Sequence, residues 1–191
     1  MASARDLGRA LEALVSMARG GGAGGVERGD GEAKMTSENR IPARLHAMGL
    51  ELPRPSTPGA NYVQFVRTGD LLFLTGQLSQ WNGERRFIGK LGREYGVAEG
   101  REAARLCALN LLAHLGTAVG GDWSRVVRCV RVAGYVNGAA DFVEQSQVVN
   151  GASDLFVDLF GDAGRHTRMA VGVAALPYDV AVEVEAVFEI R

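Results

Sequence analysis

Between positions 168 and 190 the chain reads RMAVGVAAL, then PYD, then VAVEVEAVFEI, and the last run alternates apolar and polar side chains. Val180, Val182, Val184, Ala186, Phe188 and Ile190 fall on one side, and Ala181, Glu183, Glu185, Val187 and Glu189 on the other. A period of two marks a strand with one buried face. In the first run Met169, Val171 and Val173 oppose Arg168, Ala170, Gly172 and Ala174. The residues between the runs are turn formers, so an antiparallel hairpin is the simplest joining. A slip of one residue exchanges the faces, so the expected register puts both apolar sets on the core side. In that register Arg168 shares the opposite face with the glutamates. Ala170, Gly172 and Ala174 are small and leave room beside Arg168, whose planar fork matches a carboxylate or phosphate. The same pattern also fits an ion pair of Arg168 with Glu183 or Glu185, on a solvated sheet face or at a subunit interface.

The rest of the chain supplies the layers that such a hairpin needs. Residues 62–67 (YVQFVR) and 71–78 (LLFLTGQL) read as two strands joined tightly at Thr68-Gly69-Asp70. Gly76 lies inside the second strand, where glycine marks a bulge or a close backbone approach to a ligand. Residues 81–84 (WNGE) form a turn, and 86–88 a short extra strand. Residues 97–115 carry Ala103, Leu106, Cys107, Leu109, Leu112 and Ala113 on one helical face, with Gly116 as the stop. Residues 126–136 are apolar on both faces, as in a central strand. Asp141 with Glu144 reads as a capping box for a helix with Phe142, Val149, Ala152, Phe156 and Leu159 on its stripe, ending at Gly161. The order β-β-α-β-α-β-β implies an α+β fold: one mostly antiparallel mixed sheet with two helices on one face. The helices should then cover the apolar side of the last hairpin and leave the Arg168 face bare, and a bare sheet usually meets a partner.

Ahead of this domain, residues 1–36 hold a short amphipathic run (Leu7, Leu11, Leu14, Val15) and the tract GGGAGGVERGDGEAKM. The tract lacks the Gly-Lys-Ser/Thr of a phosphate loop, and its composition is that of a flexible segment. Asp6 and Glu12 argue against an organellar presequence. The expected division is a disordered extension over 1–36, with a working start near Met35, and one folded domain over 37–191.

The formal net charge is −1, without blocks of like charge, which gives no electrostatic reason to expect nucleic-acid or membrane partners. Two cysteines, Cys107 and Cys129, sit in apolar contexts and read as buried free thiols of a reducing, cytoplasmic compartment. His46, His114 and His166 have no metal-ligand spacing, so no metal is expected. His166 and Arg165, just before the Arg168 strand, are candidates for the rim of a cleft.

From about residue 58 onward the chain resembles the RidA family, also called the L-PSP endoribonuclease family, of chorismate-mutase-like fold (bacillary type). The resemblance is carried by Tyr62, LTGQL at 74–78, Asn110, VVRCVRVAGYV at 126–136, Asp141-Phe142, Asn150, and above all RMAVGVAALPYDVAVEVEA at 168–186. It implies a homotrimer with ligand clefts at the subunit interfaces. It also implies hydrolysis of reactive enamine/imine intermediates (2-imino acids such as 2-iminobutanoate and 2-iminopropanoate) to 2-keto acids and ammonia, without metal or cofactor. On that resemblance Arg168 grips the substrate carboxylate, Glu183 positions the water, and Tyr62 lines the cleft. Gly76 donates its N–H to the substrate, Asn150 matches a cleft asparagine, and Ala170 stands where a cysteine is common but keeps the backbone carbonyl. Where an aromatic is commoner, this chain has Gly151, Ser153 and Asp154. A non-catalytic trimer that binds a keto acid is the alternative; endoribonuclease activity lacks the basic stripe it needs.

Overall fold

The computed structural model describes residues 40–191; the expected disordered extension over 1–36 lies outside the described residues. Among the described residues there are three α-helices: α1 (Arg40–Ala47), α2 (Val97–Ala118) and α3 (Gln145–Phe160). The strands are β1 (Phe65–Thr68), β2 (Leu71–Leu78), β3 (Gln80–Trp81), β4 (Glu84–Arg85), β5 (Val126–Asn137), β6 (Thr167–Val173) and β7 (Val182–Ile190). Five of them form a mixed sheet in the order β1-β2-β7-β5-β6, while β3 and β4 make a separate small hairpin. The expected α+β class, with a mostly antiparallel mixed sheet and two helices on one face, is what the chain adopts. No described helix is long and apolar enough to cross a membrane.

The core lies between the sheet and helices α2 and α3. Leu72, Leu74, Val132, Val136, Val182, Val184, Ala186, Phe188 and Ile190 face it from the sheet; Cys107, Leu111, Leu112, Leu115, Val149, Phe156 and Leu159 face it from the helices. Each fully buried Leu, Val or Phe contributes on the order of 1.5–3 kcal/mol. Phe188 meets Phe156 edge-on, with ring centroids 5.5 Å apart, a pairing that adds roughly 0.5–1.5 kcal/mol beyond burial. The helices come close because Gly151 has no side chain: a Cβ there would run into the Arg101 backbone, 2.7 Å from its carbonyl carbon.

Several local expectations hold. The first hairpin turns at Gly69, in left-handed conformation, and Asn82-Gly83 turn the β3–β4 hairpin with positive φ at both positions. β5 is central, between β7 and β6. α3 ends at Gly161, with φ of 64°. Cys107 and Cys129 are buried free thiols. The β2–β7 register shifts between Leu74 and Gln77, so the bulge spans Thr75 and Gly76.

Other expectations are corrected. α2 runs on through Gly116 to Ala118; Gly116 is there for packing, since a Cβ would press on the Trp123 ring at 3.0 Å. α3 begins at Gln145 with Glu144 at its N-cap and no side-chain cap bond, so Asp141 and Glu144 form no capping box. Phe142 precedes the helix and is buried all the same. Tyr62 lies in the bend before β1, which starts at Phe65.

The largest correction concerns β6 and β7, which do not pair. β5 lies between them, parallel to β6 and antiparallel to β7. A parallel pair needs a crossover, and α3 supplies it between β5 and β6. The link from β6 to β7 instead passes the end of β5, where Asn137 holds it through Asp179 Oδ1 (2.8 Å) and the Val180 carbonyl (3.2 Å). Inserting β5 changes the facing. Arg168 is opposite Val132 and Val132 opposite Ala186, so Arg168 is on the helix-covered face; Glu183 is opposite Tyr135 and points to the other side. Arg168 and the glutamates therefore occupy opposite faces. The bare face is the one with Glu183 and Glu185, and it also exposes Val66, Phe73 and Met169.

Candidate functional site

The Arg168 side chain leaves the edge strand β6 and lies along α3. Its Nη1 donates to Asn150 Oδ1 (2.6 Å) and Ser153 Oγ (3.3 Å), and its Nη2 to Ser146 Oγ (2.7 Å). Residues 146, 150 and 153 recur at spacings of four and three, which puts them on one helical face. Three of the five guanidinium N–H groups are thus held, and no described residue takes the Nε–H or the second Nη2–H. All three acceptors are neutral, and among the described residues no carboxylate lies within ion-pair distance of Arg168. The guanidinium is exposed and its charge is uncompensated, while its orientation is fixed by its own helix. The ion pair with Glu183 or Glu185 that the spacing allowed is absent: Glu185 takes Arg131 instead, at 3.6 Å.

Behind this cradle stands His166. Its Nδ1 lies 2.6 Å from the Gly164 carbonyl, which fixes the proton on Nδ1, and its Nε2 lies 3.0 Å from Ser153 Oγ. The imidazole also meets the Phe156 ring edge-on. Burial lowers its proton affinity, the Gly164 bond opposes that, and the Arg168 charge lowers it further. Ala170, next on the same face as Arg168, packs against the core beside Gly134.

Glu183 belongs to a second constellation on the bare face. A Cβ on Gly76 would collide with its carboxylate oxygen, so the absence of a side chain at the bulge is what admits Glu183. Burial first, and then the charge of Glu185, raise the Glu183 carboxyl above the ordinary glutamate range. Tyr135 pairs with Glu183 across β5 and β7, and its phenol is likewise raised, by burial and by Glu185. A carboxylate of increased basicity beside a backbone bulge suits the handling of a proton or a water. Behind Gly76 the bulge is tied inward: Gln77 donates to Gln64 Oε1 (3.0 Å) and to the Thr75 carbonyl (3.1 Å). Tyr62 is exposed near the β1 edge, its hydroxyl accepting from the Gly59 N–H at 3.3 Å.

The expected residues thus fall into two groups within this chain, with Tyr62 apart from both. Arg168, Asn150 and Ala170 come together on the α3 side; Glu183 and Gly76 come together on the bare face; Tyr62 stands near the β1 edge. Ser146 and Ser153 complete the Arg168 cradle, a role the sequence reading does not assign to either. The signal for both was a serine four residues before Asn150 and another three after it. Among the described residues no group of three or more His, Cys, Asp or Glu side chains is arranged to hold a metal ion.

Residues 42–189 match the model of the family described as "YjgF/chorismate mutase-like, putative endoribonuclease". The chain is 43% identical over 158 residues to Protein TCP17 of Trypanosoma cruzi, covering 82% of this chain and 98% of that one. The crystal structure of Atu1372 from Agrobacterium tumefaciens, a protein of unknown function, superposes with a TM-score of 0.77 at 41% identity, over 81% of this chain and 95% of that one. A protein from Shewanella oneidensis titled a "putative endoribonuclease" gives a TM-score of 0.77 at 36% identity, over 80% of this chain and all of that one.

Proposed function

The chain belongs to the YjgF/RidA family of chorismate-mutase-like fold, and on that premise we propose that it hydrolyses 2-imino acids, such as 2-iminobutanoate, to 2-keto acids and ammonia. One observation carries the reading: Arg168 is a positioned cation that, among the described residues, has two free donors and no anion of its own. An exposed guanidinium held only by neutral acceptors can take a carboxylate without first giving one up. A bidentate carboxylate contact of this kind contributes on the order of 1.5–3 kcal/mol per charged hydrogen bond.

The reaction needs little more than orientation. A protonated imine carbon is already electrophilic, so holding it against a water supplies much of the barrier reduction. In the proposed course Glu183 takes a proton from the attacking water as the C–O bond forms, giving a carbinolamine. Glu183 then returns that proton to the amine nitrogen, which leaves as ammonia as the C–N bond breaks, and the carboxylate takes up the hydroxyl proton as the carbonyl forms. Gly76 N–H would help hold the substrate, with Tyr62 at the cleft wall. Since Arg168 and Glu183 lie on opposite faces of one sheet, a complete site takes Arg168, Asn150 and Ala170 from one copy and Glu183, Gly76 and Tyr62 from another. The bare face of each protomer, with its exposed Val66, Phe73 and Met169, is the surface such a homotrimer would bury. A net charge of −1 gives no support to a nucleic-acid substrate.

The test generates 2-iminobutanoate in place with a threonine dehydratase and follows keto-acid release with and without this protein. Acceleration that disappears in Arg168→Ala is the expected result. Binding of 2-ketobutyrate without any acceleration would replace the enzyme by a keto-acid-binding protein; neither acceleration nor binding would refute both.

A further inference from the structure

We infer that Ser153 and His166 form a hydrogen-bond relay that sets the rotation of the Arg168 guanidinium, making His166 a positioning residue for anion binding. The inference rests on the reading of Arg168 as the carboxylate anchor, and it adds residues that act through Arg168 without touching the ligand.

The direction of the relay follows from the acceptors. The Gly164 carbonyl can only accept, so His166 donates to it from Nδ1 (2.6 Å) and its Nε2 is left as an acceptor. Ser153 must then donate its hydroxyl proton to Nε2 (3.0 Å), which turns the oxygen's lone pairs toward Arg168 Nη1 (3.3 Å). Asn150 and Ser146 each fix one terminal nitrogen, and Ser153 takes the remaining proton of Nη1. The fork left for a ligand is thereby confined to the Nε–H and the last Nη2–H.

Protonation of His166 would undo this. With a proton on Nε2 the ring can no longer accept from Ser153, and a second positive charge would sit behind the guanidinium. The surroundings keep the ring neutral. Phe156 covers it, and Arg168 is the charged group acting on it. Of the neighbouring charges, Arg165 pairs outward with Asp162 (3.2 Å), Asp154 of α3 pairs with Arg101 (2.7 Å), and Arg128 of β5 reaches only the Arg165 carbonyl (3.1 Å).

The experiment measures 2-ketobutyrate affinity by titration calorimetry for the full chain and for Ser153→Ala, His166→Phe, the double variant and His166→Gln. Ser153→Ala and His166→Phe should each weaken binding about three- to tenfold, the size of one neutral hydrogen bond. The double variant should be no weaker than the poorer single, because the two act along one path. His166→Gln retains an acceptor where Nε2 was and should restore most of the affinity. Wild-type affinity should fall on acidification below the ordinary histidine range, and in His166→Phe that fall should vanish. Unchanged affinity in both singles, or additive losses in the double, would overturn the relay. Imidazole nitrogen shifts of the ligand-free wild type give a second measurement that does not depend on the keto acid. They should report the Nδ1–H tautomer, and an Nε2–H tautomer would overturn the relay even if no keto acid binds.

Discussion

Replacing Gly76 by alanine puts one methyl group where the fold leaves none. The new carbon would stand 3.1 Å from the carboxyl carbon of Glu183 and 3.2 Å from its Cγ, with one carboxylate oxygen closer still. Carbon atoms in contact rest at about 3.5–4.0 Å, so the carboxylate must retreat by about 1 Å or turn to another rotamer. The cost to folding is small. An off-rotamer side chain costs about 0.5–1.5 kcal/mol, and the loss of glycine's freedom in the unfolded chain returns about 0.4–1 kcal/mol. The cost to catalysis is large, because a misplacement of about 1 Å in a reacting group can lower the rate about a hundredfold. Gly76→Ala should therefore keep its melting temperature within a few degrees while kcat/KM for 2-iminobutanoate falls by about two orders of magnitude. Adding Glu183→Gln to it should change nothing further, since the methyl acts by displacing that carboxylate. A Gly76→Ala protein within threefold of wild-type activity would refute the assignment of Glu183, and a double variant far below Glu183→Gln would refute the route by which the methyl acts.

Arg168→Lys keeps the charge but cannot hold Asn150, Ser153 and Ser146 while offering a fork, so keto-acid affinity should fall at least tenfold in calorimetry. Glu183→Gln should lower kcat/KM in the imine assay by about two orders of magnitude, the size of a lost general base, without loss of stability at neutral pH. The sign follows from the raised carboxyl. Its folded-state pKa lies above the unfolded one, so the stability it contributes is full below the unfolded pKa and lost as pH rises through the folded value. Denaturant midpoints of wild type and Glu183→Gln should therefore converge on acidification, and a wild type that is the more stable at neutral pH would contradict the assigned shift. Gly151→Ala drives a methyl into the Arg101 backbone. Overpacking of about 1–3 kcal/mol should outweigh the roughly 1 kcal/mol helix gain, and thermal melts should show a net loss.

Most of the architecture was legible because each element carries its own period. The alternation over Val182–Ile190, the apolar stripe of α2 and the two-faced apolar run of β5 each specify a type and a burial pattern from local residues alone. The errors arose where a choice depended on what else was competing. Gly116 reads as a stop until the Trp123 ring is placed beside it, and Asp141 reads as a cap until Phe142 is drawn into the core instead.

The facing of Arg168 is the instructive case, because the local pattern was right and the conclusion was not. Alternation fixes which residues share a face within one strand, but two strands must be put in register before their faces can be compared. A direct hairpin pairs Arg168 with one parity of β7. With β5 inserted between them, Val132 is opposite both Arg168 and Ala186, and Glu183 falls on the other parity. The decisive property was therefore the position of β5 between β6 and β7 in the sheet order, which the side-chain period of neither strand encodes. That same insertion accounts for the cradle. Turned onto the covered face at the sheet edge, Arg168 meets the serines and the asparagine of α3 in place of the glutamates.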